Sequence, residues 1–298
     1  MSLDLVAAED RVPEELLERV LAKLGFSSKP VADRAGLEAL YAAWCRGVPF
    51  DNTRKLIHLR ANDPARLPGD SPTDFLAAWL EYGAGGTCWA VHGALTSVLV
   101  ACGFDARRGI GTMLAAPNLA PNHGTTSVRL AGDTLLVDGC IQHGKPLALE
   151  TGSATTVEHP AYGVRARPEP GATWMLRWRS PLAPDGFDCR INSLSGDVDS
   201  FRSSHERTRA WGPFNYELFA RVHRRGGVVG VLRGERLEFN ADGTLTRTPL
   251  DRESRLRFLI EELGLDEAFS RRVPDDMPTP PPPGSATAAR EQPDHPRS

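Results

Sequence analysis

The sequence predicts an α+β fold, because its hydrophobic periodicity changes twice along the chain. Apolar residues recur at helical spacing through most of the first hundred residues, alternation with a period of two takes over from about residue 105, and one helical stripe returns after residue 251. Helices gathered at one end, followed by strands joined through short turns, describe segregated layers with an antiparallel sheet rather than alternating βα units. With 298 residues, 41% of them hydrophobic, the chain is long enough to bury one large core or two to three smaller ones.

The first helix is predicted over 13–26, where Leu16, Leu17, Val20, Leu21 and Leu24 form one stripe and Gly25 supplies a stop. A second is predicted over 33–45 on the stripe Leu37, Leu40, Tyr41 and Trp44, and a third over 73–82. Val91, Ala94, Leu95, Val98, Leu99 and Cys102 then mark a buried helix over 89–102, closed by Gly103, so that Cys88 stands at its N-terminus. Strands are expected over 105–114 and 125–138, with Gly132-Asp133 as the hairpin turn between two halves of the latter. Further strands are read in TWMLRWR, FDCRINSL, ELFARVHR, VVGVLRG and RLEFN, and in TLTRTP after the turn ADG. A last helix covers 251–263 behind Asp251 as its cap. The segment 150–171 reads as an irregular loop. From Asp275 onward the Pro-rich sequence has too few apolar residues to offset its ordering entropy, which predicts a disordered tail.

A formal charge of −3 excludes the strongly basic field that nucleic acid or an anionic membrane surface requires. Lys occupies positions 23, 29, 55 and 145 alone, so nearly all positive charge is Arg, a skew that fits genome composition better than a functional field. The N-terminus is acidic where a secretory signal would be basic, and no stretch approaches the roughly 20 apolar residues of a membrane span. The expectation is a cytoplasmic protein with neither a membrane nor a nucleic-acid partner. Cysteines at 45, 88, 102, 140 and 189 include no CxxC pair, which argues against a disulfide framework or a structural zinc site; no metal site is expected, and one thiol is open to a reactive role.

Cys88 is the candidate for that role. It follows Gly83, Gly85 and Gly86, which are expected to let the backbone approach a ligand closely, and it opens a helix whose dipole favours a thiolate. Cys102, on the apolar stripe, reads instead as a buried inert thiol. Two histidines are candidate bases: His92, one helical turn beyond the nucleophile, and His123, just before a strand. Local spacing does not choose between them. Asp138, a carboxylate closing the apolar run Leu135-Leu136-Val137, suits either a turn before Gly139 or the third member of a triad, accepting an imidazole N–H and fixing its tautomer.

These segments resemble the arylamine N-acetyltransferase family. VPFDN (48–52) is similar to its Pro-Phe-Glu-Asn segment, and GAGGTCWAVHGAL (83–95) to the Arg-Gly-Gly-x-Cys-Phe-Glu-x-Asn entry of the helix that carries the nucleophile. The family's base histidine precedes a strand and its acid closes the next in a Val-Asp-Val-Gly-Phe-Gly segment, which match His123 and LVDGC at 136–140. The resemblance covers about residues 15–265 in element order. Departures are Asp51 for Glu, Thr53-Arg54 in place of a Leu region, Ala84 for Arg, Trp89 to His92 for Phe-Glu-x-Asn, Gly124-Thr125 after the histidine, and Cys140 in the Gly-Phe segment.

The resemblance implies a catalytic triad of Cys88, His123 and Asp138, and so selects His123 over His92. It also implies an N-terminal helical bundle (1–103) carrying the nucleophile, an antiparallel β-barrel-like middle domain (104–210) carrying base and acid, and a C-terminal α/β lid (211–274), with a papain/transglutaminase-like Cys-His-Asp arrangement and a tail over 275–298. The implied activity moves an acyl group, first of all acetyl, from a CoA thioester through Cys88 to an arylamine or hydrazine. No cofactor is tightly bound; acetyl-CoA or another acyl-CoA is a cosubstrate, and the partners are a small-molecule amine and an acyl thioester, with an acyl carrier protein as a further donor. Alternatives are an amide synthase of natural-product biosynthesis, a transglutaminase-like Cys hydrolase, and a degenerate protein that only binds a ligand. Arg224 and Arg225 read as a solvated face before they read as CoA ligands, and Trp211, Phe214 and Phe219 as core before acceptor pocket.

Overall fold

The structure is a computed structural model that describes residues 10–116, 119–171, 173–283 and 285. The chain opens with helices α1 (Glu14–Lys23) and α2 (Arg34–Gly47), a two-residue strand β1 (Phe50–Asp51), and helices α3 (Thr53–Arg60), α4 (Pro72–Tyr82) and α5 (Cys88–Ala101). Their starts follow from capping chemistry: Asp33 accepts the Gly36 N–H ahead of α2, and Ser71 accepts the Asp74 N–H ahead of α4, with Pro72 at the first helical position. α3 was not predicted; its short TRKLIHLR sequence carries too few apolar residues for a clear stripe.

The middle of the chain forms one eight-stranded antiparallel sheet from β2 (Asp105–Met113), β3 (His123–Leu130), β4 (Asp133–Leu136), β5 (Leu147–Ala148), β6 (Thr155–Val157), β7 (Val164–Glu169), β8 (Thr173–Ser180) and β9 (Ala183–Ser193). The strand order is β5-β4-β3-β2-β9-β8-β7-β6, and the two edges meet where the Thr155 hydroxyl donates to the Ala148 carbonyl, which nearly closes a barrel. The expected loop at 150–171 therefore contains β6 and β7. Its strand character was hidden because the alternation of β7, Val164 and Ala166 inward against Arg165 and Arg167 outward, runs over only four residues before Pro168. The β3–β4 turn falls on Ala131 and Gly132, both at positive φ, one residue earlier than read, so Asp133 starts β4.

Helix α6 (Val198–Arg207), also unpredicted, packs on α5 through Phe201. A second sheet follows in the order β1-β10-β11-β12-β13, from β10 (Ala220–Arg224), β11 (Gly227–Leu232), β12 (Glu235–Phe239) and β13 (Leu245–Pro249). It is covered by α7 (Arg252–Arg257), which runs into a π-helical turn at Phe258–Glu262, and by α8 (Glu267–Ser270). The fold is thus an N-terminal helical bundle, a barrel-like antiparallel sheet and a C-terminal α/β lid. Residues 275–283 do not behave as a free tail: the Met277 N–H donates to the Tyr216 carbonyl and the Trp211 indole to the Pro280 carbonyl, polar anchors that apolar content does not register. Beyond them, 284 and 286–298 lie outside the described residues.

α5 is the hub. Eleven of its fourteen residues, from Cys88 to Leu99, are fully or almost fully covered, and one large core joins it to α1, α2, α4 and the inner faces of β3 and β4. Burying each such Leu or Val contributes about 1.5–3 kcal/mol, so the position of the α5 N-terminus is held from all sides. Among the described residues no helix is long and apolar enough to cross a membrane.

Candidate active site

Cys88 is the first residue of α5, 8% exposed, with its sulfur 3.9 Å from the Asn122 carbonyl oxygen. The glycine loop before it does a different task from the one expected. A Cβ at Gly85 would stand 1.8 Å from the Pro49 carbonyl oxygen, so the absent side chain admits the neighbouring backbone, not a ligand. Buried Asp51 gathers the Gly85 N–H at 2.6 Å, the Thr53 N–H at 2.9 Å and the Thr53 hydroxyl at 2.6 Å. Asn52 donates to the Phe214 and Glu217 carbonyls and accepts the Phe219 N–H at 2.9 Å. The VPFDN segment is therefore a staple: it ties the nucleophile's loop to the start of α3 and to the lid.

His123 begins β3, and Asp138 lies two residues beyond the end of β4, the strand paired with it. The hairpin brings the two together: His123 Nε2 donates to Asp138 Oδ2 at 2.7 Å, which directs Nδ1 away from the acid. Burial disfavours a charge on His123. The Asp138 carboxylate and its hydrogen bond outweigh that, with the nearby Cys88 adding to them, and raise the pKa to about 10. Asp138 shows the converse. Burial alone would raise its pKa, but His123 and then His92 hold it well below the usual carboxylate range.

His92 also reaches the acid. Its Nε2 lies 3.3 Å from Asp138 Oδ1, so Nδ1 accepts from the Thr126 hydroxyl at 2.9 Å, and that hydroxyl shares a 2.9 Å bond with Thr96. Burial holds the His92 pKa below its ordinary value despite the carboxylate, which leaves the ring neutral. Oδ1 further accepts the Cys140 and Ile141 N–H groups at 2.9 and 2.8 Å, and the Tyr41 hydroxyl donates to the Asp138 carbonyl at 2.7 Å. Asp138 is thus both the turn-forming Asp and the partner of two imidazoles. The donor atoms of His92, Asp138 and Cys140 lie within 4.8 Å of one another, a spacing that a metal ion could accept. Their chemistry does not fit one, since N–H donors occupy the carboxylate and burial raises the Cys140 pKa well above the ordinary thiol value.

The other three cysteines are also held as thiols by burial, with Cys45 pushed up to about 12 and Cys102 to about 11, and Cys189 well above the ordinary value. One cation near the nucleophile was not anticipated: Lys55 of α3 is buried, donates to the Thr208 hydroxyl at 2.7 Å and interacts electrostatically with Cys88. Burial lowers its pKa to about 8. Its only signal in the sequence was a lysine beside VPFDN. Phe214 and Phe219 stack edge-on with Phe50, ring centroids 5.1–5.4 Å apart, in the same core as Cys88. Trp211 does not join them. Arg224 and Arg225 are engaged internally, the first with the Arg46 carbonyl and the second with Glu262.

The N-acetyltransferase family model matches residues 33–181, half of the chain. An arylamine N-acetyltransferase of Mycolicibacterium smegmatis is 29% identical over 152 residues, which cover 48% of this chain and 53% of that protein, so the aligned part spans about half the length of this curated relative. Among solved structures, a variant of the Mycobacterium smegmatis N-arylamine acetyltransferase superposes with a TM-score of 0.72 at 19% identity, covering 86% of this chain and 97% of that one. The Mycobacterium marinum arylamine N-acetyltransferase in complex with CoA gives 0.71 at 18%, covering 86% and 98%. At these identities the structural likeness speaks for the fold alone, and the family match speaks for descent: the chain belongs to the arylamine N-acetyltransferase family.

Proposed function

We propose that this protein is an N-acyltransferase that carries an acyl group, acetyl in the first instance, from CoA to an aromatic amine or hydrazine through a thioester on Cys88. The observation that carries the reading is the placement of His123, hydrogen-bonded to Asp138 and near enough to Cys88 to interact with it electrostatically. His123 is the base and Asp138 the group that orients and charges it. The relative solved with CoA supports CoA as the carrier.

In the first half-reaction the Cys88 sulfur attacks the acyl carbonyl carbon, the bond from that carbon to the CoA sulfur breaks, and the imidazolium of His123 gives its Nδ1 proton to the departing thiolate. Both sides of this exchange are thioesters, so little free energy is lost. In the second, the amine nitrogen attacks the acyl-Cys88 carbonyl, neutral His123 takes the amine proton, and Cys88 leaves as a thiolate beside a restored imidazolium. On this mechanism backbone N–H groups at the α5 N-terminus, that of Cys88 among them, receive the oxyanion. In this reading His92 positions Asp138 and never meets the substrate.

Intact-mass and peptide measurements after exposure to a panel of acyl-CoAs test the proposal. One acyl group on Cys88, discharged by an aromatic amine, is the expected result; no adduct with any donor overturns it. The two histidines separate in a second measurement. His123→Ala lowers kcat by about 10²- to 10⁴-fold, the range for loss of a general base. His92→Asn, which can still donate to Oδ1, lowers it no more than about tenfold, and His92→Ala by about 10- to 100-fold, one hydrogen bond to a charged group. A larger loss from His92→Ala than from His123→Ala reverses the assignment.

A further inference from the structure

Arg221 occupies the middle of β10 and is 2% exposed, yet its Nε and Nη1 atoms have no hydrogen-bond partner. Arg108, the other buried arginine, is paired with Asp10 at 2.5 Å. Arg221 has no such carboxylate. Its guanidinium lies over the Trp178 ring, 5.0 Å from the centroid, and the Trp178 indole N–H is itself buried without an acceptor. The groups that act on it electrostatically are Cys45, Cys140, Tyr41 and Asp138. Burial holds the first three protonated, and the Asp138 carboxylate is occupied by its own N–H donors. Enclosing a guanidinium without a hydrogen-bonded anion costs several kcal/mol.

The register of the lid sheet ties this residue to the loop that precedes the nucleophile. Arg221 pairs with Phe50, Phe50 bridges to Gly86, and Gly86 stands two residues before Cys88. Two strand spacings, about 10 Å, separate the backbones of Arg221 and Gly86. Along β10 the side chains alternate: Ala220 and Val222 enter the core beneath α7 and α8, so Arg221 shares the opposite face with Phe219, which with Phe50 and Phe214 belongs to the Cys88 core. An orphan cation and an indole N–H donor thus adjoin the core that holds Phe50, Phe219 and the nucleophile.

We propose that Arg221, with Trp178 beside it, anchors a carboxylate carried by the molecule that reacts at Cys88, either at the far end of the acyl chain or on the ring of the aromatic amine. A planar guanidinium takes a carboxylate through two parallel hydrogen bonds, and in a buried site the pair excludes neutral analogues of the same shape. This rests on the proposed acyl transfer only for the identity of the reacting molecule; the anion site can be read without turnover.

The test compares wild type, Arg221→Met and Arg221→Lys. In turnover, two ratios of kcat/KM are measured: succinyl-CoA against butyryl-CoA with a neutral amine, and 4-aminobenzoate against 4-methylaniline with acetyl-CoA. The ratio for the correct source is about 10- to 100-fold in wild type, one charge-assisted pair. It falls to about one or below in Arg221→Met and to an intermediate value in Arg221→Lys; the ratio that responds names donor or acceptor. Without turnover, calorimetry and thermal unfolding use succinate and 4-aminobenzoate as probes. The expected result is that one of them binds and raises the Tm of wild type but not of Arg221→Met, and that Arg221→Met alone unfolds at the same or higher temperature, because an unpaired buried charge has been removed. Absence of both preferences and of both binding signals in wild type overturns the proposal, as does a preference that survives Arg221→Met. An Arg221→Met variant that loses stability while neither probe binds wild type assigns Arg221 to the core and also overturns it. Failure of acyl transfer appears separately, as absence of any Cys88 adduct.

Discussion

Cys88→Ala lowers kcat for acyl transfer by about 10⁶-fold, the scale seen when a covalent nucleophile is removed. Nothing in the site can replace it. Cys140 is near enough to interact electrostatically with both Cys88 and Asp138, and Cys189 with the same pair, but burial raises both thiols well above the ordinary range and leaves them without thiolate at neutral pH. The substitution should preserve the fold, since it deletes one sulfur at the edge of the core and leaves the α5 cap and the Asp51 staple unchanged. Transfer assays together with thermal unfolding check this. Full turnover by a folded Cys88→Ala protein sinks the covalent mechanism.

Asp138→Asn produces the second large loss, on the order of 10⁴-fold, for two reasons that act together. An amide N–H facing His123 Nε2 would require that nitrogen to accept, moving the ring proton to Nδ1 and reversing the tautomer. The loss of the carboxylate charge also leaves burial unopposed, so the His123 pKa drops from about 10 to below its ordinary value of 6.5. The imidazole is then neutral at pH 7. Proton NMR of the His123 ring reads this directly: in wild type the signal does not titrate between about pH 5 and 8, and in Asp138→Asn it is already in its neutral position over most of that range. A wild-type His123 that titrates near 6.5 contradicts the electrostatics of the site. The linkage runs the same way for stability. The raised pKa of His123 contributes fully below 6.5, and that contribution is lost as pH climbs through about 10; the depressed pKa of Asp138 contributes above 3.8 and is lost in acid.

Sequence reading recovered the long helices and most of the strands because each buries one face and so writes its period into the chain. It failed where an element is short or is held by polar contacts. β7 shows its alternation on four residues only, α6 offers a single large apolar residue, Phe201, which packs edge-on against Trp89 of α5, and residues 275–283 are anchored by polar groups of residues 211–218. Each leaves at most a short or weakly apolar pattern. The site shows the same division. Cys88, His123 and Asp138 could be named from three short segments in order, whereas Lys55 and Arg221 sit in sequences that read as an ordinary helix and an ordinary strand.

The amino-acid sequence by itself determined the α+β class, the nucleophile at the head of a buried helix, and the two candidate imidazoles with one acid near them. Only the tertiary structure decided that both imidazoles meet that acid, that the glycine loop makes room for Pro49 and Asp51 instead of a ligand, and that Arg221 is enclosed with Nε and Nη1 lacking hydrogen-bond partners. The physical reason is range. Periodicity and capping are set by neighbours within a turn or two of chain, while the protonation of His123 and the isolation of Arg221 depend on desolvation and on charges brought near by hairpin and sheet pairing across scores of residues.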